Sequence, residues 1–212
     1  MPIDPWEALR VTVRAAHLLD SPIKGAKVEL VDTAALRSGL TNLYAVRSAS
    51  SDGKYNRYTI SPNQSAFSAS VFWLPWSQGR DTGTSIAALE RAGAHLFLTA
   101  GLSGCHFVGC DGAIVHTDAM LFAESGLKTI DDVLEDDIDP TTKFVLYSAD
   151  NPKPFENPGA FPGTTVSYGV KGTPSRAIVM GWRSADKDQW FFAYQDVTQG
   201  STQFGLWKPL RV

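Results

Sequence analysis

The chain has 212 residues, 43% of them hydrophobic and 19% charged, with a formal net charge of −3. That is enough sequence for one domain with its own core, and the composition excludes a disordered segment. Lys and Arg are scattered without a basic stripe, which argues against nucleic acid as a partner, and no apolar run approaches the roughly 20 residues that span a bilayer.

The N-terminal stretch MPIDPWEALRVTVRAAHLLD lacks the charged-then-apolar pattern of a secretory signal, so export by a Sec signal is not expected. It reads as an amphipathic helix. Asp4 and Glu7 have capping-box spacing, Pro5 suits the first helical position, and Leu9, Val13, Ala16 and Leu19 would form the apolar face. Strands are predicted at 26–32, 43–48 and 67–75, with a turn over 50–56. A helix beginning at 86 gives way to an apolar strand over 95–102. Strands at 106–110 and 113–119 flank Asp111-Gly112, a hairpin signal. An acidic helix is expected over 129–139 and a strand over 144–148. The stretch 151–163, with four prolines and two glycines, reads as a loop long enough to border a site. Strands at 164–170, 176–182, 189–196 and 203–207 complete a β-rich C-terminal half. Strands dominate without a βαβ alternation and no repeat divides the chain. The expected architecture is one α+β domain over residues 1–212, a mixed β-sandwich flanked by helices and loops.

The chemistry concentrates in LFLTAGLSGCHFVGCDGAIVHTDA, residues 96–119. If Asp111 and Gly112 are the two loop residues of the hairpin, residue 110 pairs with 113, 107 with 116 and 105 with 118. Alternation then puts Cys105, Phe107, Gly109, His116 and Asp118 on one face, and the α-carbons of Cys105 and His116 fall roughly 7–8 Å apart. Cys110 and His106 fall on the other face. Five strand residues span about 17 Å, so the two cysteines cannot form a disulfide within the strand. One cysteine of two and one histidine of four are thereby singled out.

A thiol beside an imidazole can act as an activated nucleophile, the imidazolium favouring thiolate. Gly101 and Gly104 would let a carbonyl approach the backbone, with the Cys105 N–H as an oxyanion donor. Thr99 and Asp118 are the candidates to orient the imidazole. Two other readings of the same pair stay open: plain packing, or a zinc site, for which only Cys105, His116 and Asp118 converge. The acidic run from Asp131 to Asp139 lacks the ligand spacing and glycine of a calcium loop and reads as a solvated helix face. The six tryptophans read mainly as core anchors, with Trp73 and Trp76 also candidates to shape the site.

WLPWSQG (73–79), LSGC (102–105) and VHTDA (115–119) resemble the Burkholderia lethal factor 1 family of glutamine deamidase toxins. Weaker similarity runs through VSYG, RAIVMGW, WFFAYQ and LWKPL, so the likeness covers roughly 70–210. The LSGC-plus-histidine pattern is shared more loosely with the catalytic domain of cytotoxic necrotizing factors and with the chemotaxis deamidase CheD. The resemblance implies Cys105 as nucleophile, His116 as acid–base partner and Thr99 as a third active-site residue. Gly104, Ser103 and Tyr168 would lie at the substrate or oxyanion side. Between cysteine and histidine this chain is one residue shorter than the family toxin.

The resemblance also implies a β-sandwich and a protein glutamine as substrate. The family's target is the host translation-initiation RNA helicase. The expected protein is therefore a cofactor-free monomeric toxin, made in the bacterial cytoplasm and delivered to a host cytosol, that deamidates a host protein through a thioester. Transglutamination is a conceivable side activity. The rival reading is a catalytically dead module that uses the same fold to bind a protein.

Overall fold

A computed structural model describes residues 4–19, 21–51, 53–64, 66–110, 112–118, 144–150, 164–184, 189–202 and 204–210. The expected acidic helix at 129–139 and the proline-rich loop at 151–163 lie outside the described residues. In chain order the elements are α1 (Pro5–Leu19), β1 (Ala26–Leu30), β2 (Gly39–Ala49), β3 (Asn56–Ser61), β4 (Ser68–Leu74), β5 (Thr82–Ser85) and α2 (Ile86–Arg91). They continue with β6 (Leu96–Thr99), β7 (His106–Cys110), β8 (Ala113–Thr117), β9 (Phe144–Ser148), β10 (Thr164–Tyr168), β11 (Ala177–Ser184), β12 (Gln189–Asp196) and β13 (Trp207–Leu210). The strands form two sheets, ordered β1-β3-β2-β4-β6-β11-β12-β13 and β10-β9-β7-β8-β5. Pairing is mixed: β1 with β3, β4 with β6 and β9 with β10 run parallel. This is the α+β, two-sheet architecture with flanking helices that the sequence predicts.

The central strands of the large sheet are buried on both faces, and alternation divides their side chains. Val71 and Trp73 of β4, Leu98 of β6, Ile178, Met180 and Trp182 of β11, and Ala193 of β12 join Trp6, Leu9, Val13 and Ala16 of α1 in one core. Their neighbours Phe72 and Leu74, Phe97, Ala177 and Val179, and Phe192 and Tyr194 point the other way. There they meet Phe107, Ile114, Phe144 and Leu146 of the small sheet in a second core. Strands so placed read as near-continuous apolar runs, as RAIVMGW and QWFFAYQ do.

Helix α1 begins at Asp4, whose carboxylate accepts the Trp6 N–H at 2.9 Å, while Glu7 pairs with Arg10. Its buried stripe starts at Trp6 rather than Leu9, and Leu19, expected on that stripe, is 66% exposed in the last turn. The helix packs on β13, β12 and β2, and a stripe that begins a turn earlier ends a turn earlier.

Three strand assignments change. NRYTIS forms β3, and TGTS forms β5 through its pairing with β8. The last strand is Trp207–Leu210 instead of 203–207. It contains Pro209, which a central strand would reject, but β13 is the edge of its sheet.

Gly109 sits where β7 faces the second core, and a methyl group there would overlap the Phe144 ring. That ring is held among Phe107 and Phe192, with centroids 5.7 and 6.3 Å away, so it has little room to retreat. Gly109→Ala is expected to lower stability by about 1–3 kcal/mol, the usual penalty of overpacking. Urea denaturation measures it, and an unchanged midpoint would contradict this packing.

Candidate active site

Strands β4 and β6 are parallel and in register, Leu74 beside Thr99 at their C-terminal ends. Leu98 belongs to the helix-side core, so alternation turns Phe97 and Thr99 toward the small sheet. There the Thr99 hydroxyl lies 2.9 Å from the Leu74 carbonyl oxygen and 2.8 Å from His116 Nδ1 on β8. A carbonyl can only accept, and a hydroxyl has one proton. Thr99 therefore donates to Leu74 and accepts from His116, whose Nδ1 carries the proton. The lone pair of the neutral ring is left on Nε2, a buried atom without a hydrogen-bond partner among the described residues.

His116 is fully buried. Burial pulls its pKa down to about 4, with Asp118 opposing and His106 adding to the fall. The ring is neutral at pH 7. Of the two candidate orienting groups, Thr99 makes the hydrogen bond. The Asp118 charge favours the imidazolium of His116, and its carboxylate accepts the Gly79 N–H at 2.6 Å.

The hairpin has the expected register, from His106 opposite Thr117 to Cys110 opposite Ala113, with Phe107 facing His116. A two-residue loop closes it, and Gly112 at φ +78° takes the left-handed conformation such a loop requires. The shorter spacing between Cys105 and His116 thus leaves the pairing intact. Cys105 immediately precedes the ladder and packs with Phe107 in the inter-sheet core at 4% exposure. Just upstream, Leu102 forms a two-bond bridge to Ala177, Ser103 is exposed, and Gly104 turns the chain at φ +84°. Tyr168, at the end of β10, donates its hydroxyl to the Cys105 carbonyl at 2.8 Å. Burial first, then the charges of Cys105 and Asp196, raise the Tyr168 pKa well above its ordinary value, against an opposing Gly104 backbone hydrogen bond. The hydroxyl therefore stays protonated as a donor.

Two direct contacts join the predicted residues in two pairs, Thr99 with His116 and Tyr168 with the Cys105 main chain. Trp73 is not part of this group; it is buried in the helix-side core, while Trp76 is 43% exposed. The WLPW segment contributes through its backbone instead. Leu74 supports Thr99, and the Pro75 carbonyl accepts the Thr82 hydroxyl on β5 beside His116. Nothing in the side-chain pattern of WLPW announces carbonyls in this role. Among the described residues no three His, Cys, Asp or Glu side chains converge as metal ligands.

His106, like His116, is held near pKa 4 by burial. An unfolded histidine titrates near 6.5. Between these values the unfolded chain binds more protons, so stability rises with pH. The contribution is complete above about pH 6.5, is lost as pH falls toward 4, and is on the order of 3 kcal/mol per histidine. Urea midpoints should drop from pH 7 to pH 5, and His116→Gln should roughly halve that slope. A flat profile in the wild type would contradict the buried neutral state.

The described residues include no helix long and apolar enough to cross a membrane. The structure is similar to the crystal structure of the C-terminal domain of CNFy from Yersinia pseudotuberculosis, at 17% identity over 81% of this chain and 72% of that one, with a TM-score of 0.47. No curated protein sequence matches the chain. The family model for Burkholderia lethal factor 1 matches residues 51–211, beginning well ahead of the residue-70 boundary legible by eye. A match over that share of the sequence, taking in every residue of the site just described, makes the chain a member of the Burkholderia lethal factor 1 family.

Proposed function

We propose that this chain is a toxin-type glutamine deamidase in which Cys105 is the nucleophile and His116 the acid–base group. The observation that carries the reading is the pair of hydrogen bonds on the Thr99 hydroxyl. With its proton given to the Leu74 carbonyl, the neutral His116 keeps its lone pair on Nε2, and His116 stands opposite Phe107, which shares the inter-sheet core with Cys105. Family membership supplies the toxin context.

In this reading Cys105 enters as the thiol, beside an imidazole that burial keeps neutral. Proton transfer therefore accompanies attack. The Cys105 sulfur bonds to the glutamine carboxamide carbon, and its proton passes to His116 Nε2. The tetrahedral oxyanion is held by backbone donors that include the Cys105 N–H, in a turn shaped by Gly104. His116 returns the proton to the departing nitrogen, ammonia leaves and a thioester remains. Water then attacks, His116 takes its proton, and the C–S bond breaks to release glutamate and restore the thiol. Tyr168 is a positioning residue that fixes the main chain at Cys105. The exposed Ser103 and half-buried Gly104 mark the side from which a carboxamide reaches the buried sulfur.

The substrate class is a host protein glutamine, and a translation-initiation RNA helicase is the first candidate by family likeness. A carboxamide alone is a generic group, so selectivity must come from contacts remote from it, whose binding energy orients the amide. Transglutamination follows the same path when an amine replaces water.

Cys105→Ser is expected to abolish ammonia release with the fold intact, and Cys110→Ser to keep most of it. The reverse pattern would assign the nucleophile to the wrong cysteine. Thr99→Val should lower kcat roughly 10- to 100-fold, as loss of an orienting partner does, with Thr99→Ser restoring it. Free glutamine and a glutamine peptide should turn over far more slowly than the folded helicase at equal concentration. Comparable rates on all three would point to a small-molecule amidase.

A further inference from the structure

Strand β1 is an edge of the eight-stranded sheet. It pairs with β3 in parallel, and the bond from Val31 N–H to the Ile60 carbonyl fixes which residues face that partner. Parallel alternation gives Lys27 and Glu29 to β3 and turns the peptide groups of Ala26, Val28 and Leu30 outward. The first part of this outer edge is capped. The buried Gln195 amide accepts the Val28 N–H at 2.9 Å and donates to the Ala26 carbonyl, which also receives the Trp207 indole N–H at 2.6 Å. The Val28 carbonyl and the Leu30 N–H have no partner among the described residues, and they border a cleft of 460 Å³. The opposite wall offers no such edge: Leu102 and Ala177 bond to each other, and the Arg176 carbonyl accepts the Val197 N–H.

Charge sets this cleft apart. The whole chain carries −3, yet among the described residues Lys27, Arg57 and Arg176 line the cleft against one carboxylate, Glu29. Lys27 and Arg57 are direct cross-strand partners, a like-charge pairing that an anion between them would relieve. Adjoining concavities add Lys24 and Lys54. Ser103, two residues before Cys105, stands in the cleft wall.

We propose that this cleft docks an extended, acidic segment of the protein substrate as an added strand on β1, with carboxylates on Lys27, Arg57 and Arg176. Main-chain bonds to Val28 and Leu30 would supply affinity and the cations the choice of sequence, as in other strand-addition sites. This is the remote contact that the deamidase reading requires, and its role in turnover rests on that reading; the binding itself does not.

The test is fluorescence anisotropy of labelled octapeptides on the wild-type chain. A peptide alternating Glu with Val or Thr should bind, and its Lys counterpart should not. N-methylation of every second residue should abolish binding in one register and spare it in the other, because only alternate N–H groups face the edge. Arg176→Glu or Lys27→Glu should weaken binding about tenfold or more and raise the KM for a protein substrate, leaving kcat unchanged. Equal binding of an RNA oligomer, or indifference to N-methylation in both registers, would overturn the proposal in favour of a general polyanion patch. Peptide binding without any deamidation would leave the cleft standing and remove the deamidase reading. Deamidation unaffected by either charge reversal would remove the cleft's role and keep that reading.

Discussion

A strand buried on both faces has no neutral position, and that constraint organises this molecule. In β6 the consecutive residues Phe97, Leu98 and Thr99 must go alternately to the inter-sheet core, the helix-side core and the inter-sheet core again. Thr99 is the polar member of the series. A hydroxyl turned into an aromatic core needs partners for both its proton and its lone pairs. It finds them in Leu74 on the neighbouring parallel strand and in His116 on the opposite sheet. One hydrogen-bonded chain thus crosses from strand to strand and from sheet to sheet, and the histidine tautomer follows from it.

Both sides of the site use the same device, a buried polar group held by main chain. Tyr168 reaches from the end of β10 to the Cys105 carbonyl, and Thr99 rests on the Leu74 carbonyl. Backbone carbonyls at strand ends are fixed by the ladders they terminate, so side chains anchored on them inherit that rigidity. Burial then sets the electrostatics. It keeps His116 neutral and Tyr168 protonated, which suits a base and a donor respectively. Burial of His116 disfavours the imidazolium that a preformed thiolate–imidazolium pair would need.

The large sheet also has two unlike edges. At β13 a proline removes one donor, which discourages further pairing. At β1 the Gln195 amide occupies two peptide groups and leaves the next pair facing a cationic cleft. The buried glutamine thus satisfies main-chain groups that a further strand on β1 would otherwise take.

Local signals in the sequence were sufficient wherever the deciding forces act over a few residues. The Asp111-Gly112 loop set the hairpin register, and alternation from it put Cys105 and His116 on one face and Cys110 on the other strand parity. The apolar runs at 67–75, 176–182 and 189–196 identified strands, and their burial on both faces emerged only with the two cores. Motif resemblance supplied the family and pointed to Thr99 and Tyr168, but not to the Leu74 and Cys105 carbonyls that anchor them. Tertiary structure decided the rest. NRYTIS and TGTS become strands because β1, β2 and β8 supply partners, and neither segment carries a strong signal alone. Trp73 and Leu74 are adjacent in the chain, yet they serve opposite cores, so a motif read as a unit hid that its backbone supports the site. The choice between Thr99 and Asp118 as partner of His116 depended on which strands lie side by side. So did the gathering of Lys27, Arg57 and Arg176, residues far apart in sequence, around the open part of an edge. Register and face follow from a two-residue period; the meeting of distant strands follows from how two sheets and a helix share their buried faces, and no window of sequence contains that.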